Sequence, residues 1–367
     1  MHHWIDTPQA LDALAQTLAG APRIGLDTEF MRVKTYWPEL ALVQACVDGT
    51  VWLVDPLACG PLATLAPVFA RADLPKVMHS ASEDVVALAP ATGAGFEGLF
   101  DTQVAAAFAG LGPGIGYQRL MADLLGVALE KGETRSDWMA RPLSARQLHY
   151  AEADVLHLDA LHDLLGERLE RRSMVAWCAE DCARLARGAV PPAQPHWDFK
   201  TLWKWPAERQ ARLRRLLDWR EQAARRVDRP RLWLFDNPAA VALVEDPPAD
   251  ARALGARLAT QKGFPKREID ALWSALVAPL DDADLAGFQP IPEPLRGEAE
   301  QCFEALRDRV ASRAAALDLP PALVAPRRVL ETLARGLPSP ETAGWRSTVL
   351  AEELAALGLP PPAQPAP

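Results

Sequence analysis

Two acids one residue apart close an apolar run in RIGLDTEF, residues 23–30. Ile24 and Leu26 alternate with smaller residues, the pattern of a strand. Side chains two apart on a strand point the same way, so Asp27 and Glu29 share a face. Two adjacent carboxylates resist ionising unless a cation or an arginine lies between them. Alone, the pair carries little weight: 48 acids in 367 residues give about six such spacings by chance. Two further acids change that. HSASEDVVAL (79–88) places Asp84 in the first turn of a helix with Val85, Val86 and Leu88 on its apolar face. HYAEADVLHL (149–158) places Tyr150 and Asp154 four apart, on one face of a helix. Asp154 lies among Val155, Leu156 and Leu158 and needs a partner or a metal. Glu152, offset by about 200°, faces water.

Four carboxylates from three elements, with no cysteine or clustered histidine, select hard cations, Mg²⁺ or Mn²⁺, over zinc. Two such ions about 4 Å apart are the usual device for phosphodiester hydrolysis, one acidifying the attacking water and the other stabilising the departing oxygen. A tyrosine hydroxyl one turn from a ligand orients that water. The spacing lets Asp27, Glu29, Asp84 and Asp154 converge on one point, and the Asp27–Glu29 pair is read as holding a metal.

The elements that must hold these residues follow from the pattern. ELALVQACV (39–47) and TVWLVDP (50–56), joined at Asp48-Gly49, form with 23–30 an antiparallel meander. A helix around 61–71, a short apolar run at 76–78, a helix over 82–89 and a strand in 98–103 entering another helix come next. Helical periodicity covers 117–126 and, as a longer helix, 144–170. A meander followed by alternating short strands and helices predicts an α/β domain with a mixed sheet. The proline-rich AVPPAQPH (189–196) marks a boundary, and FQPIPEP (288–294) a second. Beyond the first boundary everything reads as helix. Both later segments show a long helix, a proline break and shorter helices, which suggests an internal repeat. The end, LPPPAQPAP, reads as a disordered tail.

Composition excludes several classes. Nearly half the chain is apolar and a quarter charged, as in globular proteins. No run is long enough to span a bilayer, and the N-terminus lacks a signal-peptide pattern. Five cysteines without a framework of spacings predict buried thiols in a reducing cytosol. The net charge of −9 argues against a protein that coats nucleic acid. Within His196–Phe235, however, eleven Lys/Arg face five Asp/Glu, a local balance of +6, interleaved with seven Trp and Phe. Arg209, Arg212, Arg215, Arg225, Arg226 and Arg229 are expected to face solvent and bind phosphates without reading sequence. Most of the tryptophans are expected in the core.

DTEF, then His-Ser-x-x-Glu-Asp, then Tyr-x-x-x-Asp, in that order, resembles the DEDD exonucleases in the variant with tyrosine in the third motif. TYWPELALVQ (35–44), LFDTQVAAAF (99–108), TRSDWMARPLS (134–144) and YAEADV (150–155) resemble the ribonuclease D family. The resemblance covers about residues 1–190. LLDWREQAARRVDRPRLWLF (216–235) resembles an HRDC domain, and 295–357 a second one. The resemblance implies an RNase H-like catalytic domain (1–193), an HRDC domain (200–287), a second HRDC-like helical domain (294–358) and a tail (359–367). It implies a metal-dependent exonuclease releasing 5′-nucleoside monophosphates from RNA 3′ ends, with tRNA precursors as substrates, acting as a cytoplasmic monomer. Asp27, Glu29 and Asp154 match the family's ligands for a first metal. Asp27 would bridge to a second, which Asp84 completes, and Tyr150 matches the water-positioning residue. Two other readings fit part of the pattern: a DNA exonuclease of repair, because four acids do not distinguish the sugars, and a catalytically silent RNA-binding scaffold.

Gln44, at the end of the meander, is a candidate for the terminal nucleotide, and His79 for phosphate. Arg135 and Arg141, in the irregular stretch before the Tyr150 helix, are candidates for gripping substrate, along with Arg225 and Arg226. Asp101 is expected to cap a helix, and GPGIG (112–116) to be a turn.

Overall fold

The computed structural model describes residues 2–129, 132–133, 136–188, 192–261 and 263–363. Arg135 and the last four residues of the expected tail lie outside the described residues. The chain forms two compact units. The first holds Met1–Met31, Leu40–Ala189 and Leu295–Pro367, and the second holds Arg32–Glu39 and Val190–Pro294.

The first unit is built on a six-stranded sheet in the order β1-β4-β3-β2-β5-β6, with β1 His2–Ile5, β2 Ile24–Met31, β3 Glu39–Val47, β4 Thr50–Val54, β5 Lys76–Met78 and β6 Leu99–Asp101. β3 and β4 are antiparallel across the turn at Asp48-Gly49, where both residues have positive φ (48° and 78°). That is the geometry a two-residue hairpin loop demands. β5 pairs in parallel with β2 and β6, and β1 pairs in parallel with β4. Residues 32–38 are too short a link for a parallel crossover, so β3 runs back beside β2. β1 is an addition to the expected meander. Its four residues, HHWI, carry too little alternation to declare a strand, and pairing with β4 creates it.

Helices flank the sheet. Ser144 and Gln147 form a reciprocal capping box that starts the helix Ala145–Leu156. The expected long helix over 144–170 is two: the chain breaks at His157 and restarts as Leu158–Arg171. Val155 and Leu158, on either side of the break, are both buried, while Leu156 is exposed. The expected helix at 61–71 is a 3₁₀ turn, Ala63–Leu65, and one short helix, Ala66–Phe69.

Residues 295–363 do not stand apart from the sheet. Phe303, Leu306, Val310, Val349 and Leu350 share one core with Leu161, Leu165, Leu169 and Cys178. Asp181, almost fully buried, takes two hydrogen bonds from Arg346 (2.6 and 2.8 Å) and one from the Trp345 indole (3.1 Å).

The second unit centres on the helix Ala207–Val227, whose Leu213, Leu216 and Leu217 pack with Leu234, Phe235, Leu243, Leu254 and Leu272. Tyr36, from the β2–β3 connection, joins this core. The Tyr36 hydroxyl donates to Glu221, and the Tyr36 and Trp37 amides donate to Asp228 at 3.0 and 3.1 Å. The suggested repeat is visible in lengths: helices of 21, 4 and 9 residues (Ala207–Val227, Arg231–Leu234, Asn237–Glu245) are echoed by 20, 4 and 8 (Gly297–Ala316, Pro321–Val324, Arg327–Ala334). None of the helices is long and apolar enough to cross a membrane, among the described residues.

Candidate active site

β2 alternates as the sequence requires, with Thr28 buried between the partly exposed Asp27 and Glu29. Facing them is the last turn of the helix Ala145–Leu156, which carries Asp154. The approach is close because of Gly25, two residues before Asp27 and therefore on the same face of the strand. A Cβ at Gly25 would meet the Val155 carbonyl at 3.2 Å and the Leu158 Cβ at 3.3 Å. Asp27, Glu29 and Asp154 each bring one carboxylate oxygen within 4.8 Å of the other two.

The electrostatics of that cluster are hostile to three bare charges. Burial raises Asp27 well above the usual carboxylate range, and Asp84, Asp154 and Glu29 push it the same way. Burial and then the charges of Asp154 and Asp84 lift Glu29 to about 9. Burial lifts Asp154 to about 7, against a hydrogen bond from the Tyr150 hydroxyl that holds it down. Carboxylates arranged this way need a counter-cation, and the donor set is all oxygen. The residues present therefore fit a divalent ion.

Asp84 stands in the first turn of the helix Ser82–Thr92, close enough to raise both Asp27 and Glu29. Burial lifts it to about 6, and Thr28 opposes the shift with its hydroxyl and its backbone amide. Thr28 Oγ1 donates to Asp84 Oδ1 at 2.5 Å. Sequence reasoning passed over Thr28, although its place between the two acids was the signal. The role of Asp101 also proves wider than a cap. Its carboxylate accepts from Gln103 and Val104 of the helix Thr102–Phe108, and from Ser80 and Ala81 of the turn that leads into the Asp84 helix.

A cleft of about 940 Å³ opens beside Tyr150 and Asp154, lined also by Tyr117, Arg119, Arg146 and His149. None of those four was singled out from sequence. The helical spacing of Arg146, Tyr150 and Asp154 was the available signal.

The secondary candidates fall elsewhere. Gln44 is fully buried, with neither amide atom hydrogen-bonded among the described residues, so it does not reach a nucleotide in the cleft. His79 Nδ1 lies 2.8 Å from Thr102 Oγ1, its ring leans on Tyr117, and burial lowers its pKa. Arg141 is a strut: it grips both oxygens of Asp55 (2.7 and 2.8 Å) and the carbonyls of Ala41 and Trp138. Glu152, expected in water, pairs with His2. Of the arginines expected in solvent, Arg225 bonds the Tyr36 hydroxyl and Glu221, Arg226 bonds Glu268, and Arg229 bonds the Lys34 carbonyl. Arg215 caps the carbonyls of Ala278 and Pro279 and pairs with Asp284, with 13% of its side chain exposed. Charge alone does not announce such partners, because the acids and carbonyls come from distant sequence.

A sequence model of the 3′-5′ exonuclease family matches residues 2–170. Ribonuclease D of Xanthomonas oryzae pv. oryzae is 44% identical over 95% of this chain and 96% of its own length. The chain belongs to the ribonuclease D family. Ribonuclease D of Gluconacetobacter diazotrophicus is 36% identical over 96% of this chain and 92% of its own. Among solved structures, Escherichia coli RNase D, described as an exoribonuclease involved in structured RNA processing, superposes with a TM-score of 0.79 at 27% identity. That match covers 97% of this chain and 98% of the other. The chain is thus a 3′-5′ exoribonuclease with an RNase H-like catalytic domain, of an exonuclease family that is divalent-metal dependent.

Proposed function

We propose that this exoribonuclease removes 5′-nucleoside monophosphates one at a time from the 3′ ends of tRNA precursors and other small structured RNAs, as a cytoplasmic monomer loaded with two Mg²⁺ or Mn²⁺ ions. The observation that carries the reading is the meeting of Asp27, Glu29 and Asp154 within 4.8 Å, at the edge of a cleft that also holds Tyr150. Asp27, Glu29 and Asp154 would hold one ion, and Asp27 with Asp84 the other. Divalent ions in such a site acidify the attacking water and neutralise the departing oxygen. The chain's own residues do the rest. Thr28 fixes the Asp84 carboxylate. Tyr150, hydrogen-bonded to Asp154, would hold its hydroxyl beside the attacking water and orient that water's lone pair toward phosphorus. The resemblance to HRDC domains supports a role for the second unit and for 295–357 in holding the body of the RNA. The positive balance of His196–Phe235 suits contacts to phosphates.

The test is degradation of matched RNA and DNA 3′ ends with Mg²⁺ or with EDTA. Stepwise loss of mononucleotides from RNA in Mg²⁺ alone is the expected result. Equal action on DNA would favour a repair nuclease, and no action on either would leave only a binding protein. A tRNA precursor with a 3′ trailer, compared with an unstructured RNA of equal length, tests the substrate class.

A further inference from the structure

The cleft beside Asp154 contains two arginines that the hydrolytic step does not use. Arg146, Tyr150 and Asp154 all line it, and their spacing of four stacks them in one row at about 6 Å per step. Arg119, on the helix Tyr117–Leu125, lines the same cleft. Both guanidinium groups are held lightly. Arg146 Nε meets Glu133 at 3.2 Å with 76% of its side chain exposed, and Arg119 Nε meets Asp123 at 2.6 Å with 75% exposed. Ion pairs this exposed contribute little, and both use the inner nitrogen. The outer fork of a guanidinium is the edge that matches a phosphate.

A 3′ exonuclease cleaves the last phosphodiester, so every other phosphate of its substrate lies on the 5′ side of the reacting one. The row on the helix has the reacting end at Asp154 and the cationic end at Arg146. We propose that Arg146 and Arg119 clamp the RNA phosphates immediately 5′ of the scissile bond, Arg146 taking the first of them and leaving Glu133 to do so. The proposal rests on the exoribonuclease reading and adds residues to it. Both arginines are positioning residues: they register the strand so that its last phosphate falls on the metal ligands.

The clamp has a length signature. A dinucleotide has only the scissile phosphate, a trinucleotide offers one more and a tetranucleotide two. Labelled oligoribonucleotides of these lengths, titrated by fluorescence anisotropy against the full chain carrying Asp154→Asn to block turnover, read it directly. Affinity is expected to rise about tenfold from dinucleotide to trinucleotide, as one charge-assisted phosphate contact allows. Arg146→Ala erases most of that rise. It also reduces the salt slope of trinucleotide binding by about 0.7, the value for one neutralised phosphate on a single strand. Glu133→Gln, which frees Arg146, tightens trinucleotide binding in the parent and has no such effect beside Arg146→Ala. Arg171→Ala removes an exposed arginine paired with Glu167 outside the cleft and is the control for lost surface charge. The clamp is overturned if Arg146→Ala weakens dinucleotide and trinucleotide equally, or if its salt slope matches that of the Arg171 variant. Failure of the underlying function is a separate outcome: the unmutated chain would then not shorten RNA in Mg²⁺ at all.

Discussion

Three or four carboxylates in one place make strong demands on single residues. Asp27→Asn or Asp154→Asn is expected to abolish hydrolysis and leave the fold intact, since removing a charge relieves repulsion while weakening the hold on the metal. Turnover on labelled RNA, with the thermal midpoint as the folding check, decides it: more than a few per cent activity at saturating Mg²⁺ would sink the metal assignment. Tyr150→Phe removes the hydroxyl proposed to orient the attacking water, so the rate should fall about a hundredfold, on the order of 3 kcal/mol, with RNA binding much less affected. An unchanged rate at saturating RNA would make the tyrosine a packing residue. The raised carboxyls also predict a pH dependence. Asp84, Asp154 and Glu29, at about 6, 7 and 9, bind protons more tightly in the folded than in the unfolded chain. Their contribution to stability is therefore complete below about pH 4 and is lost as pH rises through 6 to 9. In EDTA the melting temperature should fall across that window, Mg²⁺ should raise it most at the alkaline end, and Asp154→Asn should flatten the curve. A metal-free melting temperature that climbs with pH would contradict the burial of these acids without a counter-cation.

At the scale of elements, the site depends on how closely the helix Ala145–Leu156 lies on β2. Gly25 sets that distance, with the Val155 carbonyl and the Leu158 side chain 3.2 and 3.3 Å from where a Cβ would be. Gly25→Ala should push the helix outward by a few tenths of an ångström and cost about 1–3 kcal/mol. Its sharper effect should be on the metal, because Asp154 moves away from Asp27 and Glu29. Calorimetric titration with Mn²⁺ should show weaker binding than the loss of stability explains, and unaltered Mn²⁺ affinity would show that the helix does not set the site. Asp101 serves the other side by tying the turn at Ser80 and Ala81 to β6, so that the Asp84 helix starts from a fixed point.

For the whole molecule, the cores do not follow the order of the chain. From the proline-rich boundary at 189–196 alone, cutting after about residue 195 is expected to release a working catalytic domain. The structure shows that Phe303, Leu306, Val310 and Leu350 belong to the same core as Leu161 and Leu165. It also shows that Tyr36, only seven residues beyond Glu29, is buried in the core of the second unit. Truncation is therefore expected to lower stability and activity on every RNA, rather than only on structured ones. A cleaner probe is Arg346→Ala, which takes two hydrogen bonds from the buried Asp181 carboxylate and leaves it the Trp345 indole and Arg184; it should cost about 1.5–3 kcal/mol. Joint replacement, Asp181→Leu with Arg346→Met, should recover most of it. If the single variant unfolds at the same denaturant concentration as the parent, Asp181 is not held by this contact.

The sequence by itself determined the candidate chemistry. Asp27, Glu29 and Asp154, which the structure brings together, were legible with Asp84 and Tyr150 because the proposed hydrolysis by metal ions needs those residue types, and because strand and helix periods say which side chains share a face. The hairpin at Asp48-Gly49 was legible for the same local reason. What the tertiary structure alone decided is everything that depends on partners remote in sequence. The strand His2–Ile5 exists because β4 is beside it. Arg141, Arg215 and Arg225 turned from presumed contacts for RNA into struts, because Asp55, Asp284 and Glu221 met them. Periodicity reports the direction of a side chain along its own element. It holds no record of what lies opposite, and a cation's role is set by the anion it faces.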